Sequence, residues 1–420
     1  LEAPAETLFT DLKWNGEKGK SPGLYLHHLM LMTALQARCE GAESLAWRAA
    51  IPDEMAVDGR ERLVRLFLRL STQVALESGL PLPEKQPPVS FTSESTALGA
   101  YFRFCSPAEA QGGFLVADLG SDTADISLFL RGRESAVRVV QLPMGVHYML
   151  LPSLLRRPDI LAEDFSFLPD PVFQRDLGDM VSLLREAGRG SAELRKSRYA
   201  LDAFVADYAI PLHEALAQRR MDGVPGRTGA LLLLYFSYLM MLSGLVLLQV
   251  SGDPGRNDFL PEHMSLCLSG RGSGLMESLS APVKTSLWKM LTMFRNPKVS
   301  SLSLLFSAEK KMEIPVGLSC LRDVRTTAPQ PSAVPVTISI RPEELIPEFL
   351  HRFRREFPGE AALLFPRVYS MDPYAPFTPE GLQLIGEALQ TSFGGASAES
   401  RRPYDSLAAC LAALLEENQS

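Results

Sequence analysis

Cysteine is scarce in this chain: Cys39, Cys105, Cys267, Cys320 and Cys410 are the five in 420 residues. Their number is odd and they lie far apart, mostly among apolar neighbours. Neither a disulfide framework nor a paired-cysteine metal site fits, and a reducing, cytoplasmic setting is expected. The six histidines form no HExxH or comparable cluster. The adjacent pair His27 and His28 must face different sides of any helix or strand, so a dedicated zinc chelate is not expected. Strong charge of one sign is also missing. The formal net charge is −7, and the lysines and arginines are scattered rather than gathered into a stripe that could follow phosphates, so no nucleic-acid partner is expected. The opening segment has neither the basic start nor the apolar run of a signal peptide, and the first residue is Leu1. A fragment or a processed chain is the expectation.

Long hydrophobic runs are nearly absent as well, with one exception. Ala230 to Val250 is uncharged and approaches the length of about 20 residues that a bilayer span needs. Ser237, Ser243 and Gln249 interrupt it, and a buried core helix is expected in preference to a membrane span. The overall balance, 46% hydrophobic and 22% charged, is that of an ordinary globular protein. A length of 420 residues exceeds one ordinary core of roughly 100 to 200 residues, so two or three domains are expected.

The chain opens into helix at Leu24 to Cys39, with apolar side chains around most of the circumference, which predicts a largely buried helix. A strand at Ser44 to Ile51, an amphipathic helix at Arg60 to Ser78 closed by Gly79, a brief strand at Val89 to Thr92 and a serine-capped helix at Ser93 to Phe104 follow. Phe114 to Leu119 and Ala124 to Leu130 read as two strands across a tight turn, and Ser135 to Leu142 completes a three-stranded meander. Residues 151 to about 218 alternate helical stretches, Asp179 to Ala187 and Ala192 to Ala206 among them, with polar loops. Met264 to Leu268 is a strand that breaks into the glycine-rich turn Ser269 to Gly274 and then a helix. A strand at Ser301 to Phe306 precedes a Pro, Thr and Ser-rich linker at Thr326 to Pro335 and a mainly helical tail, in which Pro347 to Phe357 lines up aromatic and leucine positions on one face.

Two of these turns have residues suited to chemistry. In DLGSDTAD, Asp118 ends a buried strand and Gly120 opens a turn whose backbone N–H groups, with Ser121, Thr123 and Asp125, can converge on phosphate oxygens. Mg²⁺ held through water can bridge Asp118 to those oxygens. An ordinary β-hairpin with Asp and Gly chosen for turn geometry would read the same way locally. At Gly270, Gly272 and Ser273 missing side chains let a flat ring lie against the backbone, and the helix expected to follow would present N–H groups at its start. A flexible loop is the bland alternative.

The order of these elements resembles the superfamily of actin, sugar kinases and seventy-kilodalton heat-shock chaperones. The resemblance is carried by Glu94 in SESTALGAY, the hairpin DLGSDTAD, the strand and turn LCLSGRGSG, and a closing helix after Lys311 in KMEIPVGL. In motif style it is nearest to chaperone-like and bacterial actin-like members, and it covers residues 24 to 320. It implies an α/β actin-like ATPase fold of the ribonuclease H-like kind with two lobes. On that basis 1–111 would be the remainder of the first lobe, 112–325 the second lobe with a helical insertion at about 151–228, and 326–420 a helical extension. It implies ATP and Mg²⁺ as ligands, with Asp118 holding the metal hydration shell. Gly120, Ser121, Thr123 and Asp125 would lie on the phosphate side, Gly270, Gly272 and Ser273 beside the adenosine, and Glu94 would orient the attacking water.

The chain departs from the family pattern in three places. Nothing before Asp118 has the form of the family's first aspartate-glycine hairpin, Ser121 and Asp122 stand where glycines are usual, and Arg271 separates Gly270 from Gly272. A carboxylate at Asp122 adds negative charge near phosphates and predicts weaker binding. Two functions stay open from the sequence. One is an ATP-driven conformational switch acting on a protein partner, with slow ATP hydrolysis. The other is a non-catalytic interaction scaffold with a degenerate nucleotide site. Oligomerisation is left open by both.

Overall fold

We describe the fold from a computed structural model. It describes residues 21–120 apart from 54, 56, 85 and 111; 124–131; 136 and 138–142; 154; 158–187; helical pieces between 200 and 218; 226–251; 263–293 apart from 278; 301–308; 312–321; and 342–364. The fold is mixed α/β. Contacts divide these residues into two units. The first takes those within 1–111, 129–139 and 311–334, and the second those within 112–128, 140–310 and 335–420. The expected helix at Ala192 to Ala206 falls mostly outside the described residues, and the linker at Thr326 to Pro335 falls wholly outside them.

In the first unit, α1 (Ser21–Cys39), β1 (Trp47–Ile51), α2 (Val57–Ser78), β2 (Val89–Ser93), α3 (Glu94–Cys105) and a short α4 (Pro107–Ala110) follow one another. Strands β1 and β2 pair in parallel, Trp47 opposite Val89 and Ile51 opposite Ser93, and α2 is the crossover that a parallel return requires. Leu63, Val64 and Phe67 of α2 pack on the strand residues Ala49, Ile51, Val89 and Phe91. Leu70 and Val74 pack with Met30 and Ala34 of α1. This two-sided burial explains the apolar spacing of α2.

The expectation for α1 needs correction, because Leu24, Tyr25, Leu29, Met32 and Leu35 are exposed, Met32 to 70%. A single helix neighbour covers only one face of a helix, so the apolar residues on the other side of α1 stay uncovered within this unit. Helix α3 is capped by Ser93, whose hydroxyl accepts from the Thr96 N–H at 3.2 Å. Asp53 reinforces the cap, with Oδ2 accepting from the Ser95 N–H at 2.9 Å and Oδ1 from the Ser95 hydroxyl at 2.8 Å.

The five-stranded sheet comprises β3 (Gly113–Leu119), β4 (Ala124–Leu130), β5 (Arg138–Leu142), β6 (His263–Ser269) and β7 (Ser301–Phe306), in the order β5-β4-β3-β6-β7. The expected meander is present: β3, β4 and β5 are adjacent. Four residues join β3 to β4 and seven join β4 to β5. These links are too short for a parallel return, which needs about a dozen residues, so both pairs are antiparallel. Strands β3, β6 and β7 run parallel. Their interior positions are almost wholly buried in β3 and β6, which accounts for apolar runs without alternation.

The remaining second-unit helices are α5 (Asp159–Phe165), α6 (Pro171–Ala187), α7 (Arg227–Ser251), α8 (Gly274–Glu277), α9 (Ala281–Leu291), α11 (Pro342–Glu356) and α12 (Pro358–Leu364). Between α9 and α11 in the chain comes α10 (Glu313–Cys320), the expected closing helix, which belongs to the first unit. Helix α6 starts eight residues before the sequence reading placed it. Asp170 accepts the Val172 N–H at 2.8 Å through its side chain, and Pro171 occupies the first helical position, so the start signal is a capping aspartate followed by proline.

Helix α7 is the one described helix long and apolar enough to cross a membrane by length and composition, and its apolar stretch is entirely buried within the protein. Helices α5, α9, α11 and α12 pack against it. Gly244 lets α9 come close, for a Cβ there would stand 2.1 Å from the Leu291 carbonyl oxygen. Buried Asp164 of α5 accepts the Thr228 N–H at 2.6 Å and the Arg227 N–H at 3.1 Å, capping α7 from another helix.

Candidate functional site

The two motifs singled out in the sequence meet at the carboxyl ends of β3 and β6. Parallel pairing sets Asp118 directly opposite Ser269, and the Ser269 hydroxyl donates to Asp118 Oδ1 at 3.0 Å. Asp118 is half-buried, whereas Ser269 is fully buried. The chain leaves β6 through Gly270 at φ +74°, a left-handed backbone that favours glycine. Space enforces the same choice, since a Cβ on Gly270 would lie 2.5 Å from Asp118 Oδ1 and 2.6 Å from the Leu119 carbonyl oxygen.

The turn closes on itself through Ser273, whose N–H and hydroxyl both donate to the Gly270 carbonyl, at 3.2 and 2.7 Å. Gly272 and Ser273 are buried. The helix expected to follow directly is a 3₁₀ turn, Arg271–Ser273, and then the four-residue α8, and the longer α9 starts only at Ala281. Glycines at 270, 272 and 274 lower helical propensity, and the buried serine bond fixes the tighter turn.

The sheet topology gives this corner its chemical interest. From β3 the chain goes to β4 on one side, and from β6 it goes to β7 on the other. Neighbouring parallel strands whose connections diverge leave a crevice at their carboxyl ends, where open α/β sheets bind ligands. Gly120 follows β3 directly and is half-buried, and Asp125, also half-buried, stands at the start of β4. Ser121, Asp122 and Thr123, between them, lie outside the described residues. Glu94 is the first residue of α3 in the first unit and is half-buried.

Thus the structure brings Asp118, Gly270 and Ser273 into one hydrogen-bonded and sterically fitted corner, and adds Ser269. The sequence reading placed Ser269 in the turn without giving it a role. Its signal is only that a hydroxyl ends an apolar strand; the partner lies 151 residues away and is set by strand register. No group of three His, Cys, Asp or Glu side chains gathers as a metal site among the described residues. A carboxylate oxygen is a hard donor of the kind that contacts a hydrated cation through water.

No protein-family model matches the chain, and no curated protein matches it. Solved structures give partial likenesses. The ethanolamine utilization protein EutJ from Carboxydothermus hydrogenoformans superposes over 70% of this chain and 74% of its own, at 10% identity and a TM-score of 0.31. MreB5 of Spiroplasma citri bound to ADP superposes over 71% and 75%, at 12% identity and a TM-score of 0.31. The Aquifex aeolicus member of the Ppx/GppA family covers 46% and 76%, at 12% identity and a TM-score of 0.22. At these scores none of the three bears on what this chain binds.

Proposed function

We propose that this chain is an ATP-binding protein of the actin-like type, a conformational switch read by a protein partner and reset by slow ATP hydrolysis. One observation carries the reading: a half-buried carboxylate, Asp118, and a glycine turn in the left-handed region, Gly270, stand side by side at the carboxyl ends of two parallel strands whose connections diverge. The donor chemistry fits Mg-ATP, because Asp118 offers a hard oxygen to a hydrated magnesium ion and the turn after β6 offers backbone with few side chains.

On this reading Asp118 holds Mg²⁺ through water, and Gly120, Ser121, Thr123 and Asp125 line the phosphate side. Gly270, Gly272 and Ser273 border the adenosine. What bound Mg²⁺ supplies is neutralisation of phosphate charge. Glu94 is the carboxylate that orients water for hydrolysis.

Calorimetric titration with Mg-ATP tests the proposal. The unaltered chain is expected to bind, Asp118→Ala to bind at least about tenfold more weakly, and Glu94→Gln to bind normally while releasing no phosphate. No heat and no thermal stabilisation of the unaltered chain at millimolar Mg-ATP would overturn nucleotide binding and leave the fold as an interaction scaffold.

A further inference from the structure

We infer that Ser269 is a positioning residue: its hydroxyl fixes the carboxylate of Asp118 in the orientation that magnesium-dependent nucleotide binding uses. The inference rests on the reading of Asp118 as the residue facing the metal hydration shell. It adds a residue that no part of the recognised motif pattern requires.

The geometry points to Ser269 through three independent features. First, strand register sets the two residues opposite one another across β3 and β6, so their separation is fixed by backbone pairing and not by a flexible loop. Second, Ser269 is fully buried and its hydroxyl donates to Asp118 Oδ1 at 3.0 Å. A serine hydroxyl in a buried strand has few alternative acceptors, so this bond locks both side chains. Third, Gly270 comes close to the same oxygen. A Cβ there would lie 2.5 Å from Oδ1, so the carboxylate is held close to the residue that donates to it and tolerates no side chain on the next.

Such a constraint matters for a hydrated magnesium ion. Mg²⁺ demands near-octahedral geometry and keeps most of its water, so a carboxylate that contacts it through water must present its oxygens at a set angle. Second-shell partners of a metal-facing carboxylate typically contribute about 10 to 100-fold in metal affinity. Asp118 provides the charge and Ser269 the angle. Charge alone, on a carboxylate free to rotate, would still attract the cation but would discriminate less sharply between metal-bound and metal-free nucleotide.

The test is to titrate ATP into the full chain by calorimetry, once with excess Mg²⁺ and once with chelator, for the unaltered chain, Ser269→Ala and Ser269→Thr. The unaltered chain is expected to bind more tightly with Mg²⁺. Ser269→Ala is expected to lose about 10-fold or more of that magnesium enhancement with metal-free binding unchanged, and Ser269→Thr, which keeps the hydroxyl, to restore it. A purely structural role would lower both affinities together. If Ser269→Ala does not fold, Ser269→Cys, close in size and a weaker donor, is expected to show the same selective loss. Retention of full magnesium enhancement by the alanine or cysteine variant, beside an unaltered chain that shows it, overturns the positioning role and leaves the nucleotide reading standing. Absence of any enhancement in the unaltered chain overturns both.

Discussion

Asp53 in the first unit and Asp118 in the second each accept a bond from a serine hydroxyl, Ser95 at 2.8 Å and Ser269 at 3.0 Å. Their settings differ in kind. Asp53 is 7% exposed, its second oxygen accepts the Ser95 N–H at 2.9 Å, and buried Arg60 donates to its backbone carbonyl. A carboxylate sealed against the start of a helix in this way holds the fold together. Asp118 is half-buried at the end of a strand, and the hydroxyl it accepts from belongs to the neighbouring strand. The same residue type with the same kind of partner serves structure at a helix start and, on the reading proposed above, serves a ligand at the carboxyl end of the central strand. Position in the topology decides between the two.

The comparison is open to experiment. Asp53→Ala has the largest expected effect on stability, on the order of 3 kcal/mol, because it strips the start of α3 and leaves Arg60 without its neighbouring charge. Burial already pushes the Arg60 guanidinium below its ordinary pKa, and the Asp53 charge opposes that shift. Chemical denaturation measures the loss, and calorimetry at a temperature where the variant is folded is expected to find Mg-ATP binding retained. Binding lost with Asp53 would break the distinction drawn here.

Gly270→Ala comes next. The strain of a left-handed non-glycine residue and the contact with Asp118 are expected to cost about 1–3 kcal/mol and to abolish nucleotide binding, read by denaturation and titration of the same sample. A stable, binding-competent alanine variant would remove Gly270 from the site. Asp118→Ala is expected to cost about 1–2 kcal/mol, because the buried Ser269 hydroxyl loses its acceptor, and to weaken binding at least about tenfold. A loss as large as that of Asp53→Ala would class Asp118 with the capping carboxylates.

The smallest effect concerns a half-buried pair. The Tyr208 hydroxyl donates to Asp176 Oδ2 at 2.5 Å. That bond, then burial, pushes the Tyr208 pKa up to about 12. The same bond, with help from Arg175, holds Asp176 below the ordinary carboxylate value. The stabilisation from Tyr208 is complete below its unfolded pKa of about 10 and fades as pH rises through about 12. The contribution of Asp176 is present above its unfolded pKa of about 4 and is lost as pH falls through the depressed folded value. Ultraviolet titration of tyrosinate is expected to show a late step that disappears in Tyr208→Phe. Buried Tyr235, also raised by burial, remains as a separate late step.

Much of this molecule is legible one element at a time. Strands Ala124–Leu130 and Ser301–Phe306 appear with the boundaries read from their apolar runs, and Ser93 caps α3 as expected. These are local signals, in which a propensity, a cap or a turn acts over a few residues. The aspect of α1 was not legible, because an apolar helix surface does not say how many neighbours will cover it. Within the site, Asp118, Gly270 and Ser273 could be named from turn chemistry, whereas the bond from Ser269 could not.

The sequence by itself determined where strands break into glycine turns, where helices start, and which residues bear carboxylates, hydroxyls or no side chain at all, since backbone dihedrals and hydrogen-bonding groups are properties of neighbouring residues. Only the tertiary structure decided that the turn after β3 and the turn after β6 share one corner. Parallel pairing of strands 151 residues apart depends on burying both against a common core, and a one-residue slip in that register would carry Ser269 to the opposite face from Asp118.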